Sequence, residues 1–174
     1  MNWQAFLEAS IAFSKALISL LTAGACVLAA AWIAIGGLRK LASASRGERQ
    51  GQGTAGPVAI NFFIAALLAQ LSTVAGNTVE MMFGTGISDP REALSYMPSQ
   101  VAGNETLMFV VSVAVYWLAA LGWVAVFRGL LLWNSLSEGQ AAGGRDLGWR
   151  GFWHLLGGSA LINIGGLAAG WFGG

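Results

Sequence analysis

The sequence predicts an all-α membrane protein with four transmembrane helices, arranged as two consecutive antiparallel hairpins. Three observations lead to this prediction: 56% of the 174 residues are hydrophobic, only 10% are charged, and four long runs carry no charge. Soluble domains carry about 25% charged residues, so this chain has too few to cover a water-facing surface. We expect a single membrane domain over residues 1–174, made of hairpin one (16–79), a middle loop (80–105) and hairpin two (106–174).

Each predicted span is an uncharged run of more than 20 residues. The runs are Ala16–Leu38, Pro57–Val79, Thr106–Phe127 and Phe152–Phe172. About 20 apolar residues in a helix cross the roughly 30 Å of hydrocarbon in a bilayer, and a helix satisfies its own backbone hydrogen bonds there. Buried helices of a soluble protein are the alternative, which four such runs argue against.

The segment before the first span also has a helical apolar pattern, in Trp3, Phe6, Leu7 and Ile11. This pattern is typical of a short amphipathic helix at the membrane interface, and an extension of the first span explains it equally well. The first span itself exceeds the 7–15 apolar residues of a signal peptide and lacks a basic n-region. We therefore interpret it as a retained helix.

The basic residues predict the orientation. Seven of nine fall in the segments Arg39–Gly56 and Arg128–Gly151. They are Arg39, Lys40, Arg46, Arg49, Arg128, Arg145 and Arg150. The middle segment, Asn77–Glu105, carries one arginine against four acids. By the positive-inside rule, both basic segments are cytoplasmic, while the termini and the acidic loop lie outside.

The acidic middle loop contains a helix-start signal. Asp89-Pro90-Arg91-Glu92 places a cap, a first-turn proline and a glutamate in register, and Pro98 follows closely. These residues predict a two-turn helix over Pro90–Met97. The loop carboxylates have no nucleophile to pair with, so we interpret them as solvated surface.

The composition predicts neither an enzyme nor a metal or cofactor site. One histidine (His154) and one cysteine (Cys26) are too few for a Cys/His metal cluster within a single chain. The net charge of +1 is lower than that of a typical nucleic-acid-binding domain, which carries a basic patch. No sequence-specific nucleic-acid partner is therefore expected.

The two halves share a plan and a weak skeleton, G-L-x-x-x-x-S-x-S-x-G, at residues 37–47 and 129–139. A parallel duplication explains this skeleton, and so does chance in a chain rich in Ala, Gly and Leu.

The fourth span carries candidate helix-packing residues, since small residues admit a second helix at close range and an amide can bond across helices. They are Gly157, Gly158, Asn163, Gly166 and Gly170. No Asp, Glu, Lys or Arg lies within a span, which argues against a transporter.

One stretch near the C-terminus carries a family resemblance. Arg150–Ile164 has the arrangement WH-x-x-GG-x-x-x-x-N in Trp153, His154, Gly157, Gly158 and Asn163. It resembles a segment of small membrane proteins of I-type conjugation and type IVB secretion systems, the DotE/IcmC and TraQ-like group. The resemblance implies a pilin-like subunit of such an apparatus. Conjugative pilins are two-helix hairpins with a short basic cytoplasmic loop, and this chain looks like two of them fused.

The resulting hypothesis is a self-assembling, non-enzymatic subunit of a conjugative pilus, in the bacterial inner membrane before assembly and in an extracellular filament afterwards. Its expected partners are further copies of the chain, membrane phospholipid and other proteins of the apparatus. The seven basic residues are expected to face the lumen and bind phospholipid headgroups; alternatively, they only set the topology. A non-polymerising inner-membrane scaffold of the transfer channel is the alternative function, and a small transporter or pore is the third.

Overall fold

The structure, a computed structural model, describes residues 3–46, 55–84, 86–87, 89–97, 103–137 and 144–172. Within these ranges the chain is almost entirely helical and contains no strand, which confirms the all-α prediction. The α-helices are α1 (Trp3–Ser19), α2 (Cys26–Ser45), α3 (Ala55–Ala69), α4 (Leu71–Phe83), α5 (Glu105–Ser137), α6 (Gly144–Ile162) and α7 (Ile164–Phe172). A π-helical segment, Leu20–Ala25, joins α1 to α2, and a 3-10 helix covers Pro90–Tyr96.

The first helix is longer than predicted. The segments α1, Leu20–Ala25 and α2 follow one another without a break, and within the π segment the Cys26 N–H bonds to the Leu21 carbonyl, five residues back. The 41 residues Ala5–Ser45 are apolar enough to cross a membrane, and they extend about 60 Å, twice the hydrocarbon thickness. The expected separate amphipathic helix at the N-terminus is therefore wrong: because no proline interrupts it, that segment extends the first span.

The second predicted span, Pro57–Val79, is not one straight helix. Helices α3 and α4 meet at Gln70 and are bent by 85°. Backbone hydrogen bonds continue across the bend, from Gln70 N to Ala66 O (3.2 Å) and from Val74 N to Gln70 O (2.9 Å). The side chains of Leu68 and Leu71, on either side, are fully buried. Both leucines belong to the apolar core, so the bend lies where the chain packs against it.

Helix α5 contains the third predicted span and continues beyond it. Asn104 caps its start, where the Oδ1 atom accepts a hydrogen bond from the Leu107 N–H (3.2 Å). The helix then runs ten residues past the predicted end at Phe127. Arg128 consequently lies within a helix and not in a loop.

The fourth predicted span, Phe152–Phe172, is divided at Asn163 into α6 and α7. The helical hydrogen bonds persist there, from Asn163 N to Ser159 O (3.1 Å) and from Leu167 N to Asn163 O (3.0 Å). Two helices of the described chain, or three if the bent α3–α4 pair is one span, are long and apolar enough to cross a membrane. The structure therefore confirms two of the four predicted transmembrane helices, or three with the bent pair, and does not confirm a fourth.

The predicted middle-loop helix is present as the 3-10 helix Pro90–Tyr96, which begins with a hydrogen bond from Glu92 N to Asp89 O (2.9 Å). It packs against α5 and α7. The other main contacts join α2 to α3, α5 to α6, α1 to α5, α3 to α5 and α4 to α6. One apolar core results, formed by Cys26, Ala30, Ile33, Ile64, Ala65, Leu68, Leu71, Ala75, Trp123, Val126, Leu130 and Ile162.

Candidate functional site

Four glycines bring the backbones of α5 and α6 into direct contact. A Cβ on Gly122 would lie 2.7 Å from the Gly158 carbonyl oxygen, and a Cβ on Gly158 would lie 2.7 Å from the Gly122 oxygen. One on Gly129 would lie 2.9 Å from the Gly151 oxygen. Side chains do not fit at such distances, so glycine is what allows this approach. We call Gly122, Gly129, Gly151 and Gly158 the glycine seam; their order on the two helices makes α5 and α6 antiparallel.

The Trp133 indole ring packs beside the glycine seam at Gly151. The Trp133 Nε1–H donates a hydrogen bond to the Gly148 carbonyl (3.1 Å). A Cβ on Gly151 would lie 2.5 Å from the Trp133 ring. The ring therefore occupies the space that a side chain at position 151 would need, and it fixes the helices next to their connection.

The predicted helix-packing residues have different environments. Gly158 belongs to the glycine seam, whereas a Cβ on Gly157 would meet nothing within 4 Å. Asn163 is fully buried, and a Cβ on Gly166 would lie 2.5 Å from its Nδ2 atom, so Gly166 makes room for this amide. Gly170 lies in α7, and its surroundings fall outside the described residues.

Gly122, Gly129 and Gly151 were not among the predicted helix-packing residues. The prediction rested on small residues four apart within one span, whereas the seam uses a seven-residue separation on each of two helices. A search for equal glycine spacings in neighbouring segments would have found them.

The structure places the predicted basic residues mainly on helices, not in two loops. Arg39 and Lys40 lie in α2, Arg46 directly after it, Arg128 in α5, and Arg145 and Arg150 in α6. Arg49 and the side chain of Arg145 fall outside the described residues. Arg39, Arg46, Arg128 and Arg150 are exposed, and Lys40 is half-buried. The Arg150 Nη2 atom lies 2.8 Å from Asp146 Oδ2, and because both side chains are largely exposed, this ion pair contributes little to stability.

A chain of polar contacts ties α1, α5 and the middle loop together. The Trp117 Nε1–H donates to Ser10 Oγ (2.9 Å), and Lys15 Nζ lies 5.0 Å from the centroid of the Tyr116 ring. The Tyr116 hydroxyl in turn lies 3.5 Å from Asp89 Oδ1. An ammonium over an aromatic face is attracted by the ring quadrupole. Tyr116 therefore links the first helix to the acidic loop.

Exposed aromatic residues cover the outer face of α6. The rings of Trp149, Phe152 and Trp153 lie with their centroids 5.4–5.9 Å apart, and Arg150 lies among them in sequence. Aromatic and basic residues in this combination are typical of a membrane–water interface. His154 directs Nδ1 to the Arg150 carbonyl (2.8 Å). No group of three or more metal-ligating side chains occurs in the described part of the chain.

A groove of about 300 Å³ separates α2 from the C-terminal half of α5. Its lining is mostly apolar. The residues are Ala29, Trp32, Ile33, Gly36, Leu131 and Asn134. The two helices therefore run side by side here without the close contact found along the glycine seam.

Comparison with protein-family models, curated proteins and solved structures gives no significant match. The resemblance to the conjugation and secretion proteins therefore remains a prediction from the sequence.

Proposed function

We propose that this chain is a self-assembling, pilin-like structural subunit of a conjugative pilus related to type IV secretion. The observation that carries the proposal is that the first helices of the two hairpins lie parallel. Ser10 contacts Trp117, and further along both helices Gly36 shares a groove with Asn134. A fusion of two pilin hairpins requires that the first helix of each hairpin cross the membrane in the same direction.

The outer surface of the first helix supports assembly as well. Much of its apolar surface is exposed, with large side chains along its length. They include Phe6, Phe13, Leu20, Leu28, Trp32, Ile35 and Leu38. Lipid covers such a face in the inner membrane, and neighbouring copies of the chain cover it in a filament.

The exposed basic residues are the proposed lipid-binding groups. Arg39 and Arg46 lie near the end of α2 and directly after it, and Arg128 and Arg150 directly precede Gly129 and Gly151, which face each other across α5 and α6. Facing a lumen, each would attract anionic phospholipid headgroups with about 1 kcal/mol. The same charges favour a cytoplasmic position for the turns before assembly.

Shearing of cells separates the two structural alternatives. We expect electron microscopy of the sheared supernatant to show filaments that contain this chain, and mass spectrometry of the filaments to detect phospholipid. Retention of all the protein in the inner membrane would favour the non-polymerising scaffold instead. Filaments without lipid would remove the lipid-binding part of the proposal only.

Transport is a second candidate, favoured by one specific observation. The second helix of the first hairpin bends by 85° at Gln70, and that of the second hairpin is divided into α6 and α7 at Asn163, although hydrogen bonds run through both positions. Irregular positions in corresponding helices of two halves are one feature of secondary transporters. Uptake or conductance in liposomes that contain only this chain would support transport, and impermeable liposomes would leave the structural role.

A further inference from the structure

The contacts of the first helix set its axial position against α5. Near its start, Ser10 bonds to Trp117; further along, Ile33 lines a groove with Leu131. A residue of the first helix therefore lies level with the residue of α5 whose number is higher by roughly 100, since both helices rise 1.5 Å per residue.

This position displaces the two uncharged segments relative to each other. Val27 is the midpoint of Ala16–Leu38, and Tyr116 lies at the middle of Thr106–Phe127. These midpoints differ by about 90 in residue number, whereas residues at the same level differ by about 100. Val27 therefore lies about 10 residues, or about 15 Å, beyond Tyr116 along the helix axes. A flat layer of hydrocarbon about 30 Å thick cannot enclose both segments completely.

The boundary residues show which part lies outside that layer. Arg128 follows the uncharged segment of α5, and Trp149 and Trp153 on α6 lie close to its level through the antiparallel pairing. A boundary at this level leaves α2 projecting by about 15 Å. The projecting part carries exposed apolar side chains, among them Ile35 and Leu38. Lipid tails do not reach this surface, so protein must cover it.

We propose that a second copy of this chain, parallel to the first and displaced by about 15 Å along the helix axis, covers the projecting face with its own α5. This inference rests on the proposed self-assembly and specifies its geometry. The displacement brings the two uncharged segments of neighbouring copies level. Exposed residues then meet at equal height: Leu20 with Val110, Leu28 with Leu118 and Trp32 with Leu121.

Charge complementarity favours the same displacement. Asp89 lies level with Tyr116, and Arg128 lies about 18 Å further along α5. A copy displaced by about 15 Å brings its Asp89 to within about one helical turn of the neighbour's Arg128. Both side chains are exposed. An undisplaced copy would instead place equal charges at equal heights.

Disulfide cross-linking between two differently tagged, co-expressed copies tests this geometry, in a Cys26→Ala background. One copy carries Leu20→Cys, and the other carries either Val110→Cys or the matched control Val124→Cys. The two valines are similarly exposed, at 41% and 38%, and face nearly the same side of α5, but they are about 21 Å apart. Sedimentation of each variant reports assembly independently of the cross-link.

We expect Leu20→Cys to cross-link with Val110→Cys at least fivefold more than with Val124→Cys, and Leu28→Cys to cross-link with Leu118→Cys. Preferential cross-linking through Val124, or no cross-link in copies that sediment as assemblies, would overturn the displaced arrangement and leave self-assembly standing. Failure of the Cys26→Ala chain and of the unmodified chain to sediment would overturn both.

Discussion

Gly122 and Gly158 face each other across α5 and α6, each with its carbonyl oxygen where a side chain of the other would lie. Seven residues further along each helix, Gly129 and Gly151 repeat this relationship. The hairpin is thus held by backbone packing at two levels. In a membrane, where apolar burial gives little net attraction between helices, such packing is a main source of helix association.

The glycine seam predicts that Gly158→Ala destabilises the hairpin by about 1–3 kcal/mol, the usual cost of overpacking, because the new methyl group would meet backbone atoms. Gly157→Ala is the matched control, since it adds the same group where nothing lies within 4 Å. We expect the control to be neutral or to stabilise helix α6 by about 0.5–1 kcal/mol. Thermal unfolding in detergent measures both, and equal effects would contradict the seam.

The contact between Trp133 and Gly151 predicts non-additive substitutions. Gly151→Ala is expected to destabilise the fold, because its methyl group would lie 2.5 Å from the indole ring. In a Trp133→Ala background this clash is absent, so the same substitution costs less. A double-mutant cycle from unfolding free energies should give a coupling of about 0.5–3 kcal/mol. Strict additivity would mean that the ring does not lie over Gly151.

The hydrogen bond between Ser10 and Trp117 predicts a loss of stability in Ser10→Ala. The indole N–H loses its acceptor, which lies at 2.9 Å, at a cost of about 1 kcal/mol. Ser19→Ala, at an exposed position of the same helix, is the control and should be neutral. Equal unfolding temperatures of the two variants would contradict a stabilising contact between α1 and α5.

The bend at Gln70 predicts a short distance between spin labels at Ile60 and Met81, both exposed. A straight helix would separate their Cα atoms by about 31 Å, whereas an 85° bend reduces this distance to about 23 Å. Val110 and Leu131, equally far apart in number on the unbroken helix α5, provide the control at about 31 Å. Double electron–electron resonance on both labelled pairs, in a Cys26→Ala background, distinguishes a bent helix from a straight one.

Hydropathy located most of the helical regions but not their ends. A composition with few charges predicts helices wherever apolar runs exceed about 20 residues, and α5 covers the predicted third span completely. Its ten additional residues include Arg128, which was predicted to begin a loop. A charge ends an apolar run without ending a helix, since arginine is a good helix former.

The two interruptions were beyond prediction for a different reason. Neither Gln70 nor Asn163 is a glycine or proline, the residues that usually mark a break or bend. Around Gln70, the flanking residues Leu68 and Leu71 are both buried in the apolar core. At Asn163 the buried amide and Gly166 fit together. Such packing depends on partners distant in sequence, which local propensity does not contain.

The π segment Leu20–Ala25 determines which side of α1 faces the rest of the protein. Each residue of a helix turns the chain by about 100°, and a π turn accommodates one residue beyond the α-helical repeat. Deleting Thr22, and so regularising this stretch, would rotate α1 by about a quarter of a revolution relative to α2. Ser10 and Lys15 would then leave the indole and phenol they now touch. One extra residue in the π segment thus determines the rotation of α1 about the helix axis relative to α2.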